Sequence, residues 1–99
     1  MKVYWSSVEY KYLYDDIKMK GGFVYVFVKS RDAISAYEKI QKELIKEHLS
    51  PISWDYISPY DINTEWDSEE EMLHYKKLYE MAKNSNECVF DTFYAYTKN

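Results

Sequence analysis

The chain has 99 residues, of which 46% are hydrophobic and 19% aromatic, and this length and composition indicate one folded domain and exclude a disordered segment. Its formal net charge of −4 is unevenly spread, because residues 1–46 carry +3, residues 47–75 carry −8 without any Lys or Arg, and residues 76–99 carry +1. We expect neither a nucleic-acid partner, which needs a positive footprint, nor a membrane span, which needs ~18 apolar residues against the six of run 23–28.

The first third of the chain predicts a β-hairpin. Alternate residues from Val8 to Tyr14 are apolar or aromatic, which is the period of a half-exposed strand. A polar connection at 15–22 ends in the only two glycines, and the β-branched and aromatic run 23–28 predicts a central strand. Two consecutive strands of this kind favour a hairpin with a longer loop.

A helix is predicted over residues 31–47. Its apolar residues recur at spacings of three and four, which places them on one face. They are Ala33, Ile34, Tyr37, Ile40, Leu44 and Ile45. Ser30 is the predicted N-cap, and Asp32 is expected to place negative charge at the positive end of the helix dipole.

A third strand is predicted after Pro51, which is expected to stop the first helix. Ile52, Trp54 and Tyr56 alternate with polar residues, so this pattern predicts that the three side chains share one face. Pro59 closes the strand.

The remaining segments predict a helix and a strand. Residues 60–66 are compatible with either a loop or a short extra strand. Asp67 and Ser68 each have a Glu three residues later, so either can open a capping box for a helix that runs to about Lys83. Residues 88–96 predict the last strand.

The order β-β-α-β-α-β predicts one α+β domain over residues 1–99. We expect a two-layer sandwich with a mainly antiparallel sheet and two helices on one face. This plan resembles the ferredoxin-like fold, as a variant with an added N-terminal strand and a short or missing partner strand near Tyr60–Trp66. The resemblance is architectural and implies no activity, because one fold hosts many unrelated functions.

The sequence contains no recognisable catalytic motif. Glycines occur only at 21 and 22, so no phosphate-binding glycine loop is possible. His48 is predicted to complement the end of the first helix, and His74 to pair with Glu70 four residues earlier. Cys88 lies in an apolar run and is predicted to be a core residue; a lone cysteine without a signal-peptide pattern favours a cytoplasmic protein. We expect no catalytic residue and no cofactor, which favours a non-enzymatic protein.

Oxygen-bearing residues alternate from Asp61 to Glu69, as the ligands of a calcium loop do. However, Trp66 stands where that loop needs Gly, and Met72 stands where it needs a bidentate Glu. No metal site is therefore predicted.

The acidic stretch combines carboxylates with aromatic residues. Aromatic side chains supply rigid contact area, and clustered acids steer a basic partner. The predicted partner-binding residues are Tyr60, Asp61, Glu65, Trp66, Asp67, Glu69 and Glu70. They predict a protein-binding module that docks a partner protein with a basic surface, as immunity proteins, antitoxins and inhibitors do.

An alternative hypothesis is a homodimeric domain that binds or transforms a small ligand. Tyr10, Tyr12, Tyr94 or Tyr96 are the candidates for the lining of a pocket. An aromatic sheet face left uncovered by the helices would favour dimerisation. A monomer with an unbroken acidic face supports docking, whereas a dimer that encloses a Tyr-lined cavity supports ligand binding.

Overall fold

A computed structural model of the protein describes residues 1–13 and 19–97. The predicted order β-β-α-β-α-β is confirmed, with the last strand divided into two short segments. The elements are β1 (Lys2–Tyr12), β2 (Met19–Ser30), α1 (Ala33–Lys46), β3 (Leu49–Pro59), α2 (Glu69–Lys83), β4 (Val89–Phe90) and β5 (Tyr94–Thr97). Tyr14 and the part of the predicted connection at 15–18 lie outside the described residues.

The strands form one antiparallel sheet in the order β3-β1-β2-β4, with β5 also paired to β2. The β1–β2 pairing is the longest and runs from Lys2 opposite Ser30 to Lys11 opposite Gly21. Both glycines therefore lie within β2, which begins earlier than its apolar run predicts. All four strand pairings are antiparallel, which confirms the predicted sheet type.

The two helices lie on opposite faces of this sheet. Successive side chains of a strand point to opposite faces. In β2, Val26 packs in one buried cluster with Ala36, Ile40 and Leu44 of α1. The next residue, Phe27, belongs to a second cluster, which contains Leu78 and Ala82 of α2.

The prediction of a two-layer sandwich with both helices on one face is therefore wrong. The run 23–28 is apolar at both odd and even positions, so a strand built from it needs cover on both sides. A helix on each face provides that cover and makes three layers. The ferredoxin-like resemblance depended on the two-layer arrangement and is not retained.

Helix α1 begins two residues later than predicted, at Ala33. Asp32 is the N-cap, and its Oδ1 accepts a hydrogen bond from the Ser35 backbone N–H at 2.8 Å. This bond holds the pKa of Asp32 below its ordinary value. Ser30, the predicted cap, is instead buried at the end of β2. The helix ends before Pro51, since His48 has a φ of 63° and turns the chain in the left-handed conformation.

The prediction that Ile52, Trp54 and Tyr56 share one face of β3 is also wrong. Next to Trp54, one extra residue of β3 shifts its register against β1, so the alternation of side chains is interrupted. The Trp54 ring lies 4.7 Å from Tyr37 on the α1 side. The Tyr56 ring lies 5.0 Å from Trp5, which packs with the α2 cluster. Ile52 is half exposed.

Candidate functional site

The predicted partner-binding segment divides into inward aromatic residues and outward acids. Tyr60 is buried, and its backbone N–H donates to the Val3 carbonyl at 2.8 Å. Trp66 is half-buried and stacks on Tyr75 of α2, with ring centroids 4.2 Å apart and planes 16° apart. Its Nε1–H donates to the Tyr60 hydroxyl at 3.2 Å. Residues 60–68 thus form a loop, not an extra strand, and two aromatic side chains anchor it to the core.

The acids of the segment all lie at the surface. We define the acidic surface as the exposed carboxylates of Asp61, Glu65, Asp67, Glu69 and Glu70. Within residues 1–13 and 19–97, none of the five forms an ion pair with a basic side chain. The described residues therefore provide no paired basic side chain for these five carboxylates.

Two hydrogen bonds from backbone N–H groups to side-chain oxygens fix the local conformation of the acidic surface. The Asp61 carboxylate accepts the Asn63 N–H at 2.9 Å and so fixes the turn that follows. Ser68, one of the two predicted caps, begins α2 by accepting the Glu71 N–H at 3.1 Å. Glu69 and Glu70 lie in the first turn, where they stabilise the positive end of the helix dipole. The end of α2 at Lys83 agrees with the prediction.

Exposed apolar side chains adjoin the acids and are not among the predicted partner-binding residues. Leu73 is 55% exposed and lies three and four residues after Glu70 and Glu69, on the same side of α2. Ile62 follows Asp61 in the loop and is 56% exposed. In the sequence, Leu73 does not share the helical spacing of the buried residues Leu78 and Ala82, and this spacing indicates that it is exposed.

His74 pairs with a residue other than the expected Glu70. Its Nε2 lies 2.9 Å from Oδ1 of Asp91, a buried carboxylate just after β4. The Asp91 backbone N–H donates to the Tyr25 carbonyl at 2.9 Å. The pair ties α2 to the break between β4 and β5. Seventeen residues separate its partners, so no local spacing could reveal it.

An aromatic cavity of about 430 Å³, open to solvent, lies on the α1 side of the sheet. We define the aromatic cavity by its lining residues, which come from β1, β3, β4, the end of α1 and the segment before β5. They are Tyr10, Tyr12, Glu47, Leu49, Phe90 and Phe93. Two of the four predicted tyrosines therefore line it; Tyr94 is 60% exposed and lines a different depression, and the Tyr96 side chain lies outside the described part.

The single cysteine, Cys88, has the surroundings of a core residue. Burial, with a smaller contribution from the nearby Glu43 carboxylate, raises the pKa of the Cys88 thiol to about 12. Cys88 packs against the α1-side cluster. In the described ranges, no three His, Cys, Asp or Glu side chains converge as metal ligands do. No helix of those ranges is long and apolar enough to cross a membrane.

No protein-family model, curated protein or solved structure matches this chain. Its function is therefore inferred from the acidic surface and the aromatic cavity themselves.

Proposed function

We propose that this protein is a small non-enzymatic binding module that docks a basic partner protein through the acidic surface. The observation that carries the proposal is the set of five exposed carboxylates, from Asp61 to Glu70, that lack an ion pair within the described residues. Like charges on neighbouring residues of the chain repel one another, and a basic partner surface replaces this repulsion with attraction. A field of one sign also raises the rate of association with a partner of the opposite sign.

The anchoring of the loop strengthens this proposal. The stacking of Trp66 on Tyr75 and its hydrogen bond to Tyr60 hold the acids in place before a partner arrives. A surface that is already ordered loses less conformational entropy on binding. The aromatic residues thus support the docking surface from beneath.

Ile62 and Leu73 give the acidic surface an apolar component. Each is more than half exposed, so a partner that covers it removes apolar area from water. Burying a side chain of this size fully is worth roughly 1.5–3 kcal/mol, and burying the exposed half is worth about 1 kcal/mol. We propose that these residues supply part of the affinity while the carboxylates select a basic partner. The single cysteine favours a cytoplasmic setting for this interaction.

The proposal is tested by charge reversal with a matched control. The docking variant carries Glu65→Lys, Asp67→Lys and Glu70→Lys. The control variant carries three substitutions with the same total charge change at exposed acids outside the acidic surface, namely Glu38→Lys, Asp55→Lys and Glu87→Lys. Each is used to capture proteins from the native host, and each captured basic protein is then purified and titrated by calorimetry at low and high salt.

We expect the docking variant to lose the basic partner and the control variant to keep it. Affinity for the wild type should fall as salt rises, because salt screens exposed charges. A partner that binds both variants equally well would contradict the proposal. Because Glu70 also supports the start of α2, the neutral set Glu65→Gln, Asp67→Asn and Glu70→Gln provides a milder version, and circular dichroism confirms folding of each variant.

A second candidate function, small-ligand binding, is favoured by the aromatic cavity. Its volume of about 430 Å³ falls within the roughly 300–1,000 Å³ range of small-molecule sites. The residues of one chain suffice to line it. Light scattering in the presence and absence of ligand tests separately whether a homodimer encloses this site, as the alternative hypothesis proposes.

A further inference from the structure

We infer that the aromatic cavity binds organic cations, in particular a quaternary or otherwise substituted ammonium group attached to an apolar body. This inference rests on the second candidate function and names its ligand class. It is independent of the docking surface, because no residue of the acidic surface lines the cavity.

Four aromatic rings of the cavity lining contact one another in series. Tyr10 meets Tyr12 at a centroid distance of 5.8 Å and an angle of 90°. Tyr10 also meets Phe93 at 5.8 Å and 75°, and Phe93 lies 5.5 Å from Phe90. The planes of Phe90 and Phe93 differ by only 29°, so the lining combines near-parallel and near-perpendicular rings. The faces of aromatic rings carry partial negative charge and attract cations, and recognition of quaternary ammonium groups by several rings is an established use of this attraction.

The non-aromatic groups at the cavity favour the same sign of charge. Glu47 contributes a carboxylate and is also the C-cap of α1. The cavity therefore lies at the C-terminal end of a helix, which carries the negative end of the helix dipole. Among the described residues that line it, none is Lys or Arg, and Lys46 Nζ lies 3.4 Å from Oε1 of Glu43. An anionic ligand would face a carboxylate and a helix C-terminus, and the described lining offers it no Lys or Arg side chain.

The turn after α1 explains why these groups meet. His48 takes a left-handed φ of 63°, and its carbonyl accepts the Leu13 N–H at 3.0 Å. This turn brings both Glu47 and Leu49 to the lining of the same cavity. The break between β4 and β5 supplies Phe93, which is 42% exposed and thus accessible to a ligand.

The inference is tested by NMR titration of the ¹⁵N-labelled protein with three probes. Choline and benzyltrimethylammonium carry a trimethylammonium group, and 3,3-dimethylbutan-1-ol is the neutral analogue of choline with nearly the same shape. We expect amide shifts centred on Tyr12, Glu47 and Phe93. We also expect choline to bind roughly 5- to 30-fold more tightly than the neutral alcohol, as cation–π attraction in a partly desolvated site implies.

Two variants and one control locate the selectivity. Glu47→Gln keeps the shape of the side chain and removes its charge, and Phe93→Leu keeps apolar volume and removes one ring. Each is expected to weaken both ammonium probes at least threefold while changing the affinity for the alcohol much less. Glu38→Gln, an exposed carboxylate on α1 outside the cavity, should change neither affinity.

The outcomes separate the inference from the function on which it rests. Equal affinity for choline and the neutral alcohol would overturn cation selectivity and leave small-ligand binding intact. Shifts that avoid the lining residues, or no binding of any probe, would overturn both. Neither result bears on capture of a basic protein by the acidic surface.

Discussion

Replacing Val26 and Phe27 by alanine, one at a time, tests the three-layer arrangement directly. The two residues are neighbours in β2, and both have 0% exposure. Val26 packs in the α1-side cluster and pairs with Phe90 across the strands. Phe27 packs in the α2-side cluster, with its ring 5.2 Å from that of Tyr60. If helices cover both faces, both substitutions must destabilise the domain.

The size of each effect follows from the atoms removed. Phe→Ala in a core costs roughly 3–5 kcal/mol. Val26→Ala removes two methyl groups at about 0.8 kcal/mol each and leaves a cavity, so we expect about 2–3 kcal/mol. A domain of this size has a free energy of unfolding of roughly 5–15 kcal/mol, so Phe27→Ala removes a large fraction of it. Should that variant fail to fold, Phe27→Leu keeps most of the apolar volume and is expected to cost about 1–1.5 kcal/mol.

Urea unfolding followed by far-UV circular dichroism measures both effects, with the m-value as a check that the unfolding reaction is unchanged. Ile34→Ala is the control, because Ile34 is 73% exposed and its truncation should change stability by less than about 0.5 kcal/mol. If either core variant came within that margin of the wild type, the face on which that residue lies would not be packed, and the three-layer arrangement would be refuted.

Three further predictions concern the aromatic and thiol groups. Trp66→Ala should lower the free energy of unfolding by about 2 kcal/mol and Trp66→Phe by about 1 kcal/mol, because only the alanine variant loses the stacking on Tyr75. Equal urea midpoints for the wild type and both variants would contradict the anchoring of the loop. The Cys88 thiol, with a pKa raised from 9.0 to about 12, should react with Ellman's reagent at pH 8 about 1,000-fold more slowly in the native protein than in the urea-unfolded one, and similar rates would show that the thiol is accessible. Burial, followed by the negative charge of Asp91, raises the pKa of Tyr75 from 10.0 to about 12. Because the folded protein then holds this proton more tightly than the unfolded chain, the free energy of unfolding should be highest below pH 10. It should decline as the pH rises toward 12. Tyr75→Phe should reduce this decline in urea midpoints measured between pH 9 and 11.5, and an unchanged slope would assign the pH dependence to other groups.

Local chemistry was enough to predict the helices. Each helix depends on apolar residues spaced three and four apart and on an N-cap side chain next to its first turn. Both features involve residues that are close in sequence, so the sequence alone reveals them. Ser68 was one of the two predicted caps of α2, and the predicted end at Lys83 agrees with the structure. For α1 the cap moved from Ser30 to Asp32, because β2 extends through Ser30 and buries it.

The candidate sites were only partly accessible to sequence reasoning. The accumulation of acids at 47–75 identified the charged surface, because an unpaired charge is usually exposed wherever the chain folds. The direction of Tyr60 and Trp66 was not predictable, since an aromatic side chain suits a core and an interface equally well. The pairing of His74 with Asp91 likewise depends on where α2 docks on the sheet.

The sequence by itself therefore determined the order of the elements, the antiparallel hairpin and the location of the charge, all of which arise from short-range periodicity and composition. Only the tertiary structure decided that the helices lie on opposite faces of the sheet, that Trp66 supports the acidic surface from beneath, and that Glu47 and Phe93 meet at one cavity. The physical reason is that each of these depends on contacts between distant segments. A one-residue shift of register in β3, or a helix docked on the other face, would change every such contact while leaving the local periodicity intact.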